Sequence, residues 1–138
     1  MSQRTAEYMR LNPPATVADV DTAERQLAIK LPEPFRNFLL HANGGEGLSN
    51  DRGYVILWRA DELAPRNAEY EVNLLAPGFV VFGTNGGGEA YCFDCRAGSQ
   101  QVWALPFIGM EPGAARARAA SFAHFIAPLL ALVKDEPE

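Results

Sequence analysis

Between Leu31 and Gly47 the chain reads LPEPFRNFLLHANGGEG. Phe35, Phe38, Leu39 and Ala42 fall at i, i+3, i+4 and i+7, one apolar stripe, while Arg36, Asn37 and His41 take the other side. This spacing predicts a short helix. Pro32 and Pro34 set φ near the helical value and lack an N–H that a first turn does not use, so the helix should begin around Glu33 or Pro34. Asn43-Gly44-Gly45 enter the left-handed conformation cheaply, which predicts a C-terminal cap followed by a loop through Gly47 with a bare backbone. Upstream, Thr16 and Asp19 read as an N-cap with a supporting acid, and Val17, Val20, Ala23 or Glu24, and Leu27 recur at helical spacing up to Ala28. Ile29-Lys30-Leu31 then links two helices packed as a hairpin. Ser2 to Leu11 reads as an exposed helical turn closed by Asn12-Pro13-Pro14.

Beyond Gly47 the period changes. Tyr54-Val55-Ile56-Leu57-Trp58 is a continuous aromatic and mostly β-branched run, the pattern of a strand covered on both faces. Asp61 to Val72 is polar with Pro65 early, and predicts one or two short helical turns crossing the sheet. After a turn at Ala76-Pro77-Gly78 comes a buried strand, Phe79 to Gly83, then a hairpin loop Thr84-Asn85-Gly86-Gly87-Gly88 and a return strand from Glu89 to Asp94. Arg96 to Ser99 turns the chain again into Gln101 to Leu105, ended by Pro106. These three consecutive strands form an antiparallel meander. Ser121 caps a last helix whose apolar positions are Phe122, Phe125, Ile126, Leu129, Leu130 and Val133, with Pro128 as a kink. The whole is the pattern of a single α+β domain, a mainly antiparallel sheet with helices packed on one face. Its expected limits are an N-terminal arm at 1–14, the domain at 15–134 and an acidic tail at 135–138.

Composition narrows the function. With 138 residues, 48% of them hydrophobic and 21% charged, the chain fits one folded domain and not a disordered one. The net charge is −5 without any basic run, so direct binding to nucleic acid or to an anionic membrane has little electrostatic support. A charged partner should be basic. No apolar stretch approaches spanning length and the N-terminus lacks a leader pattern, so the expected location is cytoplasmic.

Chemistry is thinly represented. Cys92-Phe93-Asp94-Cys95 has redox or zinc spacing, but the first thiol lies inside a strand, not at a helix start where the dipole would lower its pKa. His41 and His124 are the only histidines and do not pair with the cysteines at usual zinc spacing, so two reduced thiols are expected and no metal or cofactor. Both histidines read as surface residues without a neighbouring nucleophile. Gly83 to Gly88 lacks the Lys-Ser/Thr pair and following helix of a phosphate loop, which leaves a hairpin needing positive φ, or a loop whose bare backbone meets a partner. Asp61, Glu62, Glu69, Glu71, Glu89 and Asp94 show no convergence and read as a solvated acidic surface. Trp58 and Trp103 are core residues by default, and either can anchor an interface.

Taken in order, the E-x-x-L helix at Glu24 and Leu27, the LPEPFRNFLLHANGGEG stretch, Trp58 at a strand end, GTNGGGEAYCFD from Gly83 to Asp94, PFIGM from Pro106 to Met110, and S-F-x-x-F from Ser121 to Phe125 resemble the SUKH superfamily. That group contains bacterial toxin-immunity proteins and fungal cell-wall-assembly regulators. The resemblance implies an α+β fold and binding rather than catalysis. It suggests an immunity protein that neutralises a cognate polymorphic toxin, such as a nuclease, by direct contact. The alternatives are a housekeeping or cell-wall-related scaffold module, then a small-ligand binder or enzyme. Under the first reading, Asn43, Gly44, Gly45, Glu46 and Gly47 shape one contact loop, Gly86, Gly87, Gly88 and Glu89 the other, and Trp58 anchors the interface. The same residues equally well do no more than build the turns and the hairpin.

Overall fold

A computed structural model describes residues 7–50, 53–96 and 101–133. The acidic tail at 135–138 and most of the turn at 96–99 lie outside the described residues. The elements are β1 (Tyr8–Leu11), α1 (Val17–Leu27), α2 (Glu33–His41), β2 (Gly45–Ser49), β3 (Gly53–Leu57), α3 (Ala60–Glu69), α4 (Val72–Leu75), β4 (Phe79–Thr84), β5 (Glu89–Asp94), β6 (Val102–Pro106), β7 (Arg116–Ala119) and α5 (Phe122–Leu130). The strands form one seven-stranded sheet in the order β1 to β7, every pair antiparallel, with the helices packed alongside. This is the expected α+β architecture.

Helix starts follow the sequence closely. The Thr16 hydroxyl accepts the Asp19 N–H at 3.0 Å and the Asp19 carboxylate accepts the Thr16 N–H at 3.0 Å, closing a capping box. The Thr16 N–H first, and after it a side-chain hydrogen bond between Thr16 and the carboxylate, hold the Asp19 carboxyl below its ordinary pKa. α1 ends at Ala28, which takes the left-handed conformation at φ 60°. Arg36 of α2 reaches back to Asp21 and Glu24 of α1, each at 2.9 Å, and so fixes the helical hairpin. The Ser121 hydroxyl caps α5 by accepting the His124 N–H.

Four expectations change. The stretch after α2 is not a bare loop. Ala42 is extended, and Gly45–Ser49 is a strand hydrogen-bonded between β1 and β3. Tyr8–Leu11 is strand, not a helical turn, with Met9 buried. β3 is not covered equally on both faces, since Val55 and Leu57 are buried while Tyr54 and Ile56 are half-buried. The segment after Trp58 makes a full ten-residue helix, α3, which carries Pro65 in its interior at the loss of one helical hydrogen bond. β7, sequence RARA, carries no apolar pattern and was not foreseen.

An aromatic cluster joins sheet and helices. Phe82 lies 4.5 Å from Phe93, 5.3 Å from Phe35, 5.5 Å from Phe122 and 5.6 Å from Phe125 between ring centroids. Each such pair contributes roughly 0.5–1.5 kcal/mol beyond its burial. β3 and β4 pair only around Ile56–Thr84 and Leu57–Gly83. Beyond that point the buried Asn67 side chain of α3 takes over as partner to β4. It donates to the Val81 carbonyl at 2.8 Å and accepts the Val81 N–H at 2.9 Å, so the splayed ladder leaves this residue satisfied.

Candidate functional site

The half-buried side of β3 opens into two adjoining hollows. One, of about 490 Å³, is lined by Ile56, Trp58, Glu62, Arg66, Tyr70 and Phe107, with Thr84, Gly86 and Gly87 of the hairpin on its rim. The other, of about 420 Å³, is lined by Arg10, Asn12, Gly45, Glu46, Leu57 and Arg59 and shares Ile56 and Glu62 with the first. Trp58 forms the back wall at 4% exposure, stacked on Tyr70 with centroids 6.2 Å apart and planes 6° apart. Tyr70 in turn contacts Phe107 at 4.6 Å, and the Arg66 guanidinium sits 5.5 Å from the Trp58 ring centre.

Polar groups in the cleft are largely committed to one another. Glu62 accepts the Arg59 backbone N–H at 2.9 Å and the Arg66 guanidinium at 3.0 Å, while the Arg59 side chain pairs with Asp61 at 3.0 Å. The Tyr54 hydroxyl donates to Glu46 at 2.7 Å, and that bond to a carboxylate pushes the phenol up to about 12. Arginines 10, 59 and 66 therefore interleave with Glu46, Asp61 and Glu62, and the cleft is mixed in charge rather than acidic. Among the described residues it holds no nucleophile aligned with a base.

The residues singled out by sequence divide into two groups. A Cβ on Gly44 would lie 2.5 Å from the Leu57 carbonyl oxygen, one on Gly45 2.3 Å from that of Arg10, and one on Gly47 2.4 Å from that of Tyr8. These glycines admit neighbouring backbone. Asn43 ties three segments together, accepting the Ala60 N–H on its side-chain oxygen at 2.7 Å, accepting Asn12 on its carbonyl at 2.9 Å and donating to the Pro13 carbonyl at 3.0 Å. Glu46, Trp58, Gly86 and Gly87 reach the cleft or its rim, as the backbone of Gly45 also does. Gly88 accepts the Phe107 N–H at 2.9 Å, which fastens the hairpin to the chain after β6, and Glu89 pairs with Arg116.

The hairpin has a settled internal network. The Asn85 side-chain oxygen accepts the Gly87 and Glu89 N–H groups at 2.8 and 3.1 Å, and the Thr84 hydroxyl accepts that of Gly86 at 3.1 Å. With these donors turned inward, the loop does not form an anion cradle. Burial pushes the Cys92 thiol up to about 12 and the Cys95 thiol up to about 11, so neither is a thiolate near neutrality. Both are free thiols, and among the described residues no three His, Cys, Asp or Glu side chains gather as a metal site. His41 and His124 are exposed, as expected.

Sequence reading took Glu62 for solvated surface and Phe107 only for part of a motif, and missed Arg66 and Tyr70. Glu62 and Arg66 carried a visible signal, an acid four residues before a base on one helix. The contact of Tyr70 with Phe107 joins distant segments and had none. Among the described residues no helix is long and apolar enough to cross a membrane. No curated protein matches the chain. The model of the SMI1 / KNR4 family (SUKH-1) matches residues 14–127.

Proposed function

Because the chain belongs to the SMI1 / KNR4 family (SUKH-1), a domain type with non-catalytic toxin-immunity and scaffold roles, we propose that it is an immunity protein that neutralises a cognate bacterial toxin by direct binding. The family match over 14–127 carries this reading. A cleft wall built from Trp58, Tyr70 and Phe107, residue types that anchor protein interfaces, supports it. The net charge of −5 favours a basic partner, as a nuclease that grips phosphates would be. Neutralisation takes place in the cytoplasm, where such a toxin would act. In this reading Glu46, Trp58, Gly86, Gly87, Gly88 and Glu89 border the contact, while Asn43, Gly44, Gly45 and Gly47 hold the strand that presents it. The binding unit is the domain at 15–134 with β1 completing its sheet, and the tail at 135–138 adds negative charge.

Deletion of the gene from its native cells tests the role directly. The deletion strain, grown in contact with its parent, should be outcompeted and should recover when the chain is expressed from elsewhere. Unchanged survival in contact culture would contradict the immunity role and favour a scaffold.

A further inference from the structure

Among the described residues, several of the large apolar side chains left in water cluster on two turns. Tyr70 is 39% exposed, Leu74 73%, Leu75 40% and Ile108 92%. Tyr70 to Leu75 follows α3, Phe107 and Ile108 follow β6, and the contact of Tyr70 with Phe107 at 4.6 Å joins the two turns side by side. Single exposed apolar residues are ordinary, but several on two turns that touch through Tyr70 and Phe107 point to an interaction surface.

Both turns are held rigidly. Glu71 at φ 57° and Met110 at φ 40° occupy the left-handed region, which costs a non-glycine residue energy and persists where the surroundings enforce it. The Glu71 carbonyl accepts the N–H groups of Leu74 and Leu75 at 3.0 and 2.9 Å, and Met110 is fully buried beneath the exposed Ile108 turn. Turn backbone fixed before binding loses little freedom on association.

The unpaired charges next in sequence to these turns are negative. Glu69, Glu71 and Glu111 are exposed, and none of their carboxylates makes a hydrogen bond or ion pair among the described residues. The arginines nearest in sequence are engaged elsewhere, Arg66 with Glu62 and Arg116 with Glu89. A second copy of the chain would bring the same carboxylates face to face in a two-fold contact, which opposes self-association here.

We infer that the ridge of Tyr70, Leu74, Phe107 and Ile108 is the chain's principal contact surface, and that it fits a basic protein surface with an apolar socket for Ile108 and Leu74. This rests on the binding reading above and moves its energetic centre from the glycine hairpin to the ridge beside the cleft.

The test immobilises the wild-type chain, purifies the protein it retains from native cells and titrates it against three variants: Leu74→Asp/Ile108→Asp, Glu69→Lys/Glu71→Lys/Glu111→Lys, and Glu89→Lys. All substituted sites are at the surface, and unchanged thermal melting confirms that the variants fold. The ridge reading expects a basic partner, binding weakened at least about 30-fold by the apolar pair and about 10-fold or more by the charge reversal, and a lesser effect of Glu89→Lys. A partner bound equally by both ridge variants, or weakened only by Glu89→Lys, would overturn the ridge while leaving the immunity reading intact. Retention of no protein would overturn both. Sedimentation showing a dimer abolished by Ile108→Asp would make the ridge a self-association surface instead.

Discussion

At Gly45 a Cβ would lie 2.3 Å from the Arg10 carbonyl oxygen, whereas at Gly88 it would meet nothing within 4 Å. The segments are alike in composition, NGGEG against TNGGG, and both follow a well-patterned element. In the first, bare backbone is used by the protein itself, letting β1 and β3 close on β2 from either side. In the second, Asn85 and Thr84 fold the loop from within and leave Gly88 open. A run of glycines thus signals close approach without saying whether the approaching group is the chain's own or a partner's.

Substitutions break this comparison at both ends. Gly44→Ala should be the most damaging, because its φ of +80° strains any side chain and the new Cβ meets the backbone of Leu57 and Trp58. The expected loss is about 3 kcal/mol or more, read as a fall in the denaturation midpoint. Next comes Asn43→Ala, which strips the Ala60 N–H of its acceptor at the start of α3. It should cost about 1–2 kcal/mol, with faster amide exchange confined to the first turn of that helix. Gly86→Ala should cost about 1 kcal/mol, since its φ is +78° but the obstacle is the movable Tyr54 ring at 2.7 Å. Gly88→Ala should change stability by no more than about 0.5 kcal/mol, because the site is open.

The Tyr54 phenol sharpens the same contrast, since its ring lies under Gly86 and its hydroxyl donates to Glu46. Its pKa is raised in the fold from 10.0 to about 12, so the stabilisation it brings is complete below pH 10 and is lost as pH rises towards 12. Glu46→Gln should return the phenol titration towards its ordinary value, measured by tyrosinate absorbance, and should flatten the pH dependence of stability in that window.

Elements with their own signal were legible in the sequence. The capping box at Thr16 and Asp19, the stripe of α2, the meander from β4 to β6 and the Ser121 cap all follow from local chemistry. β2 was hidden because three of the residues at Gly44 to Gly47 are glycine, poor strand formers whose pairing depends on neighbours distant in sequence. β1 and β7 are short edge strands, and the alternation in RARA is of small and charged residues with no apolar face. In the cleft, Trp58 announced itself by its size and place at a strand end. Tyr70 and Phe107 did not, since their meeting depends on the path of the chain through β4, β5 and β6. Asn67 was equally silent, a polar residue on a helix whose purpose appears only beside the splayed edge of β4.

The account rests on direct association with a basic protein. Affinity capture by the tagged wild-type chain from its native cells, washed first at low and then at high salt, tests that most directly. One basic protein, held at low salt in near-equimolar amount and released as salt rises, is the result expected. Capture of no protein at either salt, or of an acidic protein indifferent to salt, would contradict it.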